Sequence, residues 1–146
     1  MPILLVVFLP SGLHRVLSFV GRDPTRASDY HASQKRQGCV SLSTPEAEIV
    51  AANHALRHLG FPALELWQHL TGDATKSLLV HEDNKAMISV CLSGKNPTMR
   101  HLKRTHGVNV AWLAEQFARP DIDLVYERSV RMSADIFTKA FSDPLK

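Results

Sequence analysis

The sequence predicts an α/β protein in which helices flank a mixed β-sheet. The first third of the chain contains short apolar and β-branched runs separated by turn residues, a pattern typical of hairpins. The remainder alternates helical patterns with apolar strands, which is typical of parallel strands connected by helices. The predicted element order is β-β-β-α-α-β-α-α-β-α.

The first third is predicted to be β-structure throughout. Ile3 to Leu9 is a continuous aliphatic run that indicates a buried strand, and Leu13 to Val20 also has strand character. Two weaker segments, Ser28 to Ser33 and Gly38 to Ser41, are expected to form a second hairpin arm.

Two consecutive helices are predicted next. Ser43 and Glu46 have capping-box spacing, and Pro45 is tolerated in a first helical turn because its missing N–H has no partner there. The buried stripe of this helix comprises Ile49, Ala52, Leu56 and Leu59. Gly60 is expected to end the helix, and a shorter one follows from Phe61 to Gly72.

The second half is predicted to alternate strands and helices. The predicted elements are a buried strand at 77–83, a helix at 84–92, a turn at 94–97, a helix at 104–118, a strand at 122–126 and a last helix capped by Ser133. Pro120 is expected to separate the fourth helix from the last strand because proline cannot continue a helix.

Six short strings carry a family resemblance. They are Ser11-Gly12, Ser33-Gln34-Lys35-Arg36-Gln37, Ser43-Thr44-Pro45-Glu46-Ala47-Glu48, Glu82-Asp83-Asn84-Lys85-Ala86, Arg104-Thr105-His106 and Ala134-Asp135-Ile136-Phe137-Thr138-Lys139. Each string is weak alone, but together and in this order they are specific. From about Ser11 to Phe141 the chain resembles the ribonuclease H domain at the C-terminal end of copia-type retrotransposon polyproteins.

The resemblance implies a fold and an activity. It implies a single ribonuclease H-like domain over 1–146, with an atypical first strand in the apolar segment 1–10, as in an N-terminally truncated member. The implied activity is cleavage of the RNA strand of RNA–DNA hybrids with Mg²⁺ or Mn²⁺. The implied partners are the hybrid itself and other polyprotein domains such as reverse transcriptase.

Glu48 is the first predicted metal ligand. Glu46 and Glu48 are about 200° apart around a helix, so they cannot both point at one site. Glu48 borders the buried stripe, whereas Glu46 lies off it and has a capping role. By pattern alone such a glutamate is more often a solvated flank. The resemblance favours Glu48, since the family's metal-binding Glu is the second acid of this motif.

Asp83 and Asp135 complete the predicted catalytic and metal-binding set. Asp83 follows a buried strand, where α/β sheets gather ligands, and Asn84 can supply the helix cap that Asp83 would otherwise provide. Glu82 is expected on the opposite face of the strand and is not chosen. The helix dipole alone would favour a carboxylate at Asp135, in the first turn of the last predicted helix. The family, however, places a metal-binding Asp in this motif.

The chain departs from the family at its first strand. The family carries a further Asp near the middle of that strand, whereas residues 1–22 contain no Asp or Glu. Three carboxylates suffice for one ion, and a metal pair needs more negative charge. The alternatives to an active ribonuclease are therefore an inactive nucleic-acid-binding or interaction module and a nonfunctional retroelement relic.

A basic segment is the predicted nucleic-acid surface. Arg100, Lys103, Arg104 and His106 lie ahead of a helix and could neutralise phosphates, although a solvated helix face has the same pattern. His54 and His58 lack the partners of a zinc site and are expected to be packing or surface residues.

Composition excludes few classes. A net charge of +3 over 146 residues permits nucleic-acid binding without requiring it. Cys39 and Cys91 lack metal or disulfide spacing, so a buried thiol and a reducing, intracellular location, cytoplasmic or nuclear, are expected. The apolar start lacks a basic region and a cleavage site, so it indicates a core strand rather than a signal peptide, and no membrane association is expected.

Overall fold

Five strands form one mixed sheet. The computed structural model describes residues 3–7, 14–22, 30–36, 40–72 and 77–128, the first three segments as backbone. The strands are β1 (Ile3–Val7), β2 (His14–Arg22), β3 (Tyr30–Arg36), β4 (Leu78–Glu82) and β5 (Ile122–Tyr126). Their order across the sheet is β3-β2-β1-β4-β5.

The sheet combines an antiparallel half with a parallel half. β2 pairs antiparallel with both β1 and β3, whereas β4 pairs parallel with both β1 and β5. Parallel neighbours need crossover connections, which the helices after β3 and after β4 supply. The internal position of β4, between the parallel strands β1 and β5, explains its apolar sequence and places its C-terminal end between those of two neighbours.

One strand, β3, replaces the two weaker arms predicted before the first helix. Its backbone pairs with β2 from Tyr30 to Arg36, so the polar run that ends at Arg36 continues the strand. Polar residues are tolerated there because β3 is at an edge of the sheet. Within the second predicted arm, Val40 and Ser41 are not in a strand, and 38–39 lie outside the described residues.

The first two helices are continuous, contrary to the prediction that Gly60 separates them. Helix α1 (Thr44–Ala55) passes through a π-helical turn at 56–60 into α2 (Phe61–Thr71), and Gly60 has helical angles. A Cβ on Gly60 would lie 2.9 Å from Leu78 Cδ2, so this glycine permits close packing of the helix on β4. The start of α1 is as predicted, with Ser43 as its cap and Pro45 in its first turn.

The predicted helix at 104–118 is instead two helices. After α3 (Lys85–Ser93) and a 3₁₀ turn at 97–99, the chain forms α4 (Leu102–Thr105) and α5 (Val110–Phe117). Gly107 has φ +66°, and the Val108 N–H bonds back to the Leu102 carbonyl, which ends α4. Asn109 then caps α5 by accepting bonds from the N–H groups of residues 111 and 112.

The core lies between β4, β5 and the helices. Helix α3 packs against both α1 and α5, and α5 packs on β5. The fully buried apolar side chains include Ile49, Ala52, Leu56, Leu78, Val80, Met87, Cys91, Leu102 and Leu113. In the described part of the chain, no helix combines the length and apolar character needed to cross a membrane.

Candidate metal centre

Three carboxylates meet at the C-terminal end of β4. Glu48 lies near the start of α1, Glu82 is the last residue of β4 and Asp83 follows it. Each offers an oxygen, and these oxygens lie within 4.8 Å of one another. Glu48 and Glu82 are 2% and 0% exposed, and Asp83 is partly buried.

The periodicity of α1 and of β4 explains why the side chains of Glu48 and Glu82 are directed to this end of the strand. Glu48 precedes Ala52 by four residues and Ala55 by seven, so it lies on the buried face of α1 with those small side chains. Glu82 ends a strand with alternating burial, in which Leu78 and Val80 share its inward face. The cluster thus forms where the first turns of α1 lie near the C-terminal end of β4.

Glu82 is held firmly at one oxygen. Its Oε1 accepts a hydrogen bond of 2.9 Å from the Asn84 N–H, while no donor among the described residues bonds to the buried Oε2. Burial, partly offset by the Asn84 N–H bond, and the nearby charges of Glu48 and Asp83 raise the pKa of Glu82 to about 8. The site therefore disfavours an additional negative charge unless a cation is present.

The cluster fits a hard divalent cation. All three groups offer carboxylate oxygens, which Mg²⁺ and Mn²⁺ prefer over nitrogen or sulfur. Ligands at about 2.1 Å from one octahedral Mg²⁺ lie about 3 Å apart when adjacent and about 4 Å apart when opposite. The oxygens, which lie within 4.8 Å of one another, are close to that geometry, so a small movement of the side chains would let Glu48, Glu82 and Asp83 hold one such ion.

Two of the three predicted ligands come together. The structure places Glu48 and Asp83 in the same cluster, and Asn84 caps α3 as expected, accepting bonds from two helical N–H groups. Asp135 lies outside the described residues. The expectation that Glu82 faces away from Asp83 was wrong because β4 ends at Glu82, so strand alternation does not continue to Asp83.

Glu46 is directed elsewhere, as the angle around the helix predicted. Its Oε2 accepts the Leu42 N–H at 3.0 Å, and its Oε1 lies 3.1 Å from His101 Nε2 and 3.2 Å from His106 Nε2. Glu46 is 2% exposed and the His106 side chain 3% exposed. This cluster ties the start of α1 to both ends of α4, since His101 is the N-terminal cap and His106 the C-terminal cap of that helix.

Most of the predicted basic residues lie on the surface. Arg100, Lys103 and Arg104 are exposed, whereas His106 is buried against Glu46 and is thereby separated from that surface. Arg100 and Lys103, together with Lys95, line a pocket of ≈ 400 Å³ that is bordered by the end of α3 and the start of α5. No acidic residue is among its lining residues, so the pocket can attract an anion.

Cys91 is not a candidate nucleophile. It is a free, fully buried thiol of α3, as the sequence predicted. Burial, reinforced by the charge of Glu82, raises the pKa of Cys91 to about 12. The thiolate that nucleophilic chemistry requires is therefore disfavoured.

The comparisons with known proteins support the fold. Neither a protein-family model nor a curated protein matches the sequence. Among solved structures, the chain is similar to a foamy viral protease-reverse transcriptase whose structure was determined in complex with dsDNA, with a TM-score of 0.50 and 12% sequence identity. The likeness covers 88% of this chain and 24% of that chain. The predicted fold class, a ribonuclease H-like mixed sheet flanked by helices, is confirmed.

Proposed function

We propose that the chain is a metal-dependent nuclease domain of a copia-type retroelement polyprotein and that it cleaves the RNA strand of RNA–DNA hybrids. The convergence of Glu48 and Asp83 at the end of β4 carries the proposal. The six motif strings and the ribonuclease H-like fold support the choice of substrate. Reverse transcriptase is the proposed neighbouring domain, and Mg²⁺ or Mn²⁺ is the proposed cofactor.

The division of labour follows from the placement of the residues. Glu48 and Asp83 would hold the cation, and Asp135 is proposed to join them. A divalent ion bound there would supply the Lewis acidity that phosphodiester hydrolysis needs. Lys95, Arg100 and Lys103 lie in or beside the basic pocket, where they can neutralise backbone phosphates and orient the hybrid.

A hydrolysis assay tests the nuclease activity. A labelled RNA–DNA hybrid is incubated with the protein in Mg²⁺ or Mn²⁺, and the RNA products are resolved. We expect RNA cleavage by the wild-type chain and none by Asp83→Asn. Asp123→Asn removes the same charge from an exposed position on β5 and serves as the matched control. Cleavage that persists in Asp83→Asn would contradict the proposal.

A binding module without catalysis is the second candidate. The backbone of β1 pairs directly with β4, yet the sequence 3–7 contains only apolar residues and contributes no carboxylate from that side. The basic pocket does not depend on the metal centre. Hybrid binding without cleavage in the wild type, in both metals, would favour this candidate.

A salt titration tests the basic pocket in either case. Arg100→Ala and Lys103→Ala should each weaken hybrid binding and lower the salt slope by about one, because each lost phosphate contact releases about one counterion fewer. Arg128→Ala removes the same charge at an exposed position that does not line the pocket. Unchanged affinities and slopes in both pocket variants would show that the pocket is ordinary solvated surface.

A further inference from the structure

Glu82 is the member of the acidic cluster to which neither the motif strings nor the fold assigns a role. Its side chain is fully buried, although glutamate is almost never fully buried without a partner. One oxygen, Oε1, is accounted for by the Asn84 N–H at 2.9 Å. The other, Oε2, is buried and accepts no hydrogen bond from the described residues.

The surroundings of Glu82 indicate what its second oxygen requires. The carboxylates of Glu48 and Asp83 lie within 4.8 Å and can only accept hydrogen bonds when ionised. A buried acceptor without a donor destabilises the folded protein, and a charged one does so more strongly. A divalent cation among the three carboxylates would remove this cost for Glu82 Oε2.

A purely structural role would not need this side chain. Anchoring the Asn84 N–H requires one oxygen, which a glutamine also provides. A glutamine would also donate from its NH₂ group to the neighbouring carboxylates at every pH. An ionised glutamate can only accept, so it completes an acceptor-only site that suits a cation.

We propose that Glu82 is a direct ligand of the divalent cation and supplies, from the end of β4, a carboxylate that the adjacent β1 lacks. This inference rests on the proposed function, since it assumes that the acidic cluster binds a cation. Among the described residues, the site would then hold the ion through three carboxylates, those of Glu48, Glu82 and Asp83, beside the contribution proposed above for Asp135. Coordination by Glu82 also fixes the chain just before the α3 cap, through the Asn84 N–H.

Mn²⁺ binding measures this role without reference to activity. Free Mn²⁺ is followed by electron paramagnetic resonance during titration, and the Mn²⁺-induced rise in Tm is recorded in parallel. We expect Glu82→Gln to weaken Mn²⁺ binding by at least about tenfold, since loss of even an outer partner of a metal ligand costs 10–100-fold. Glu115→Gln, an identical change at an exposed position on α5, should bind as the wild type does.

A second variant tests the same role of Glu82 in case Glu82→Gln does not fold. Glu82→Met has a similar volume and no charge, and replacing a buried charge by an apolar side chain is often neutral or stabilising. It should also lose the Mn²⁺-induced rise in Tm.

The outcomes separate this inference from the proposed function. Wild-type affinity in both Glu82 variants, with binding lost in Asp83→Asn, would overturn the role of Glu82 and leave the metal centre standing. Failure of the wild-type chain to bind Mn²⁺ would overturn both. Parallel loss in Glu82→Gln, Glu82→Met and Asp83→Asn, with the Glu115→Gln control unaffected, supports both.

Discussion

Without metal, the stability of the protein should fall as the pH rises from about 4.5 to 8, and Glu82 should be a major cause. In the folded state the pKa of Glu82 is raised to about 8 from an ordinary value of 4.5. Below pH 4.5 the side chain is protonated in both states, so its full contribution to stability is present. Between the two values only the unfolded state ionises, so unfolding releases a proton and becomes more favourable.

The magnitude follows from the same two values. Each pH unit in which only the unfolded state is ionised lowers the free energy of unfolding by about 1.4 kcal/mol. The interval from 4.5 to about 8 therefore corresponds to a loss on the order of 5 kcal/mol. That loss is comparable with the whole stability of a marginal domain, which is about 5–15 kcal/mol.

His81 contributes in the opposite direction, and its contribution must be removed from the comparison. Burial lowers the pKa of His81, although the carboxylate of Glu127 partly opposes this effect. The stability that His81 contributes is therefore present above its unfolded pKa and is lost as the pH falls. The difference between wild type and Glu82→Gln cancels this contribution, because His81 is present in both.

Urea unfolding in EDTA at several pH values from 5 to 8.5 provides the measurement. The wild-type minus Glu82→Gln difference should fall by about 1.4 kcal/mol per pH unit, and Glu115→Gln should follow the wild type. Saturating Mg²⁺ at pH 8 should restore much of the lost wild-type stability, since ligands that bind only the folded state stabilise it. Parallel pH profiles for wild type and Glu82→Gln would refute the reasoning.

Three further changes test the packing around the site by urea unfolding. Glu46→Ala leaves buried His106 without its carboxylate acceptor and should cost about 3 kcal/mol, whereas a loss below about 1 kcal/mol would mean that the cluster is not stabilising. Asn84→Ala removes the α3 cap and should cost about 1 kcal/mol, and an unchanged midpoint would contradict this. Gly60→Ala should destabilise by about 1 kcal/mol or more because its Cβ would meet buried Leu78; stabilisation would mean that helix propensity outweighs the contact.

Local signals predicted the elements that bring Glu48 and Asp83 together. Ser43 and Pro45 mark the start of α1, and the short apolar run before Asp83 marks β4. These signals depend on bonds within a few residues, such as the Ser43 cap, so they can be read from the sequence. The positions of Glu46 and Glu48 around the helix also predicted that Glu48, and not Glu46, points towards the site.

Gly60 was misread because its role depends on a distant partner. A glycine after an apolar stripe usually ends a helix, but here it lies inside one and allows close contact with Leu78. The partner is separated from it by the whole of α2. No pattern within α1 or α2 carries that information.

The break at Gly107 was missed for a different reason. The apolar spacing from Val108 to Phe117 fits one helix that begins earlier, and periodicity alone does not reveal a left-handed residue within it. Gly107 followed by Asn109 was nevertheless a usable local signal, since a glycine can end one helix and an asparagine can begin the next. These two residues mark the end of α4 and the start of α5.

Glu82 shows the limit of alternation as an argument about function. Alternation assigns faces only while the backbone remains extended and paired, and β4 ends at Glu82 itself. Beyond that residue the Asn84 N–H turns back to Glu82 Oε1, so the next carboxylate, that of Asp83, returns to the same side. Two consecutive acids at the end of a buried strand can therefore share one site when a following Asn or Asp caps a helix. The reason is that the chain leaves the strand after Glu82 and begins a helix at the Asn84 cap, so strand alternation no longer determines where the Asp83 carboxylate lies.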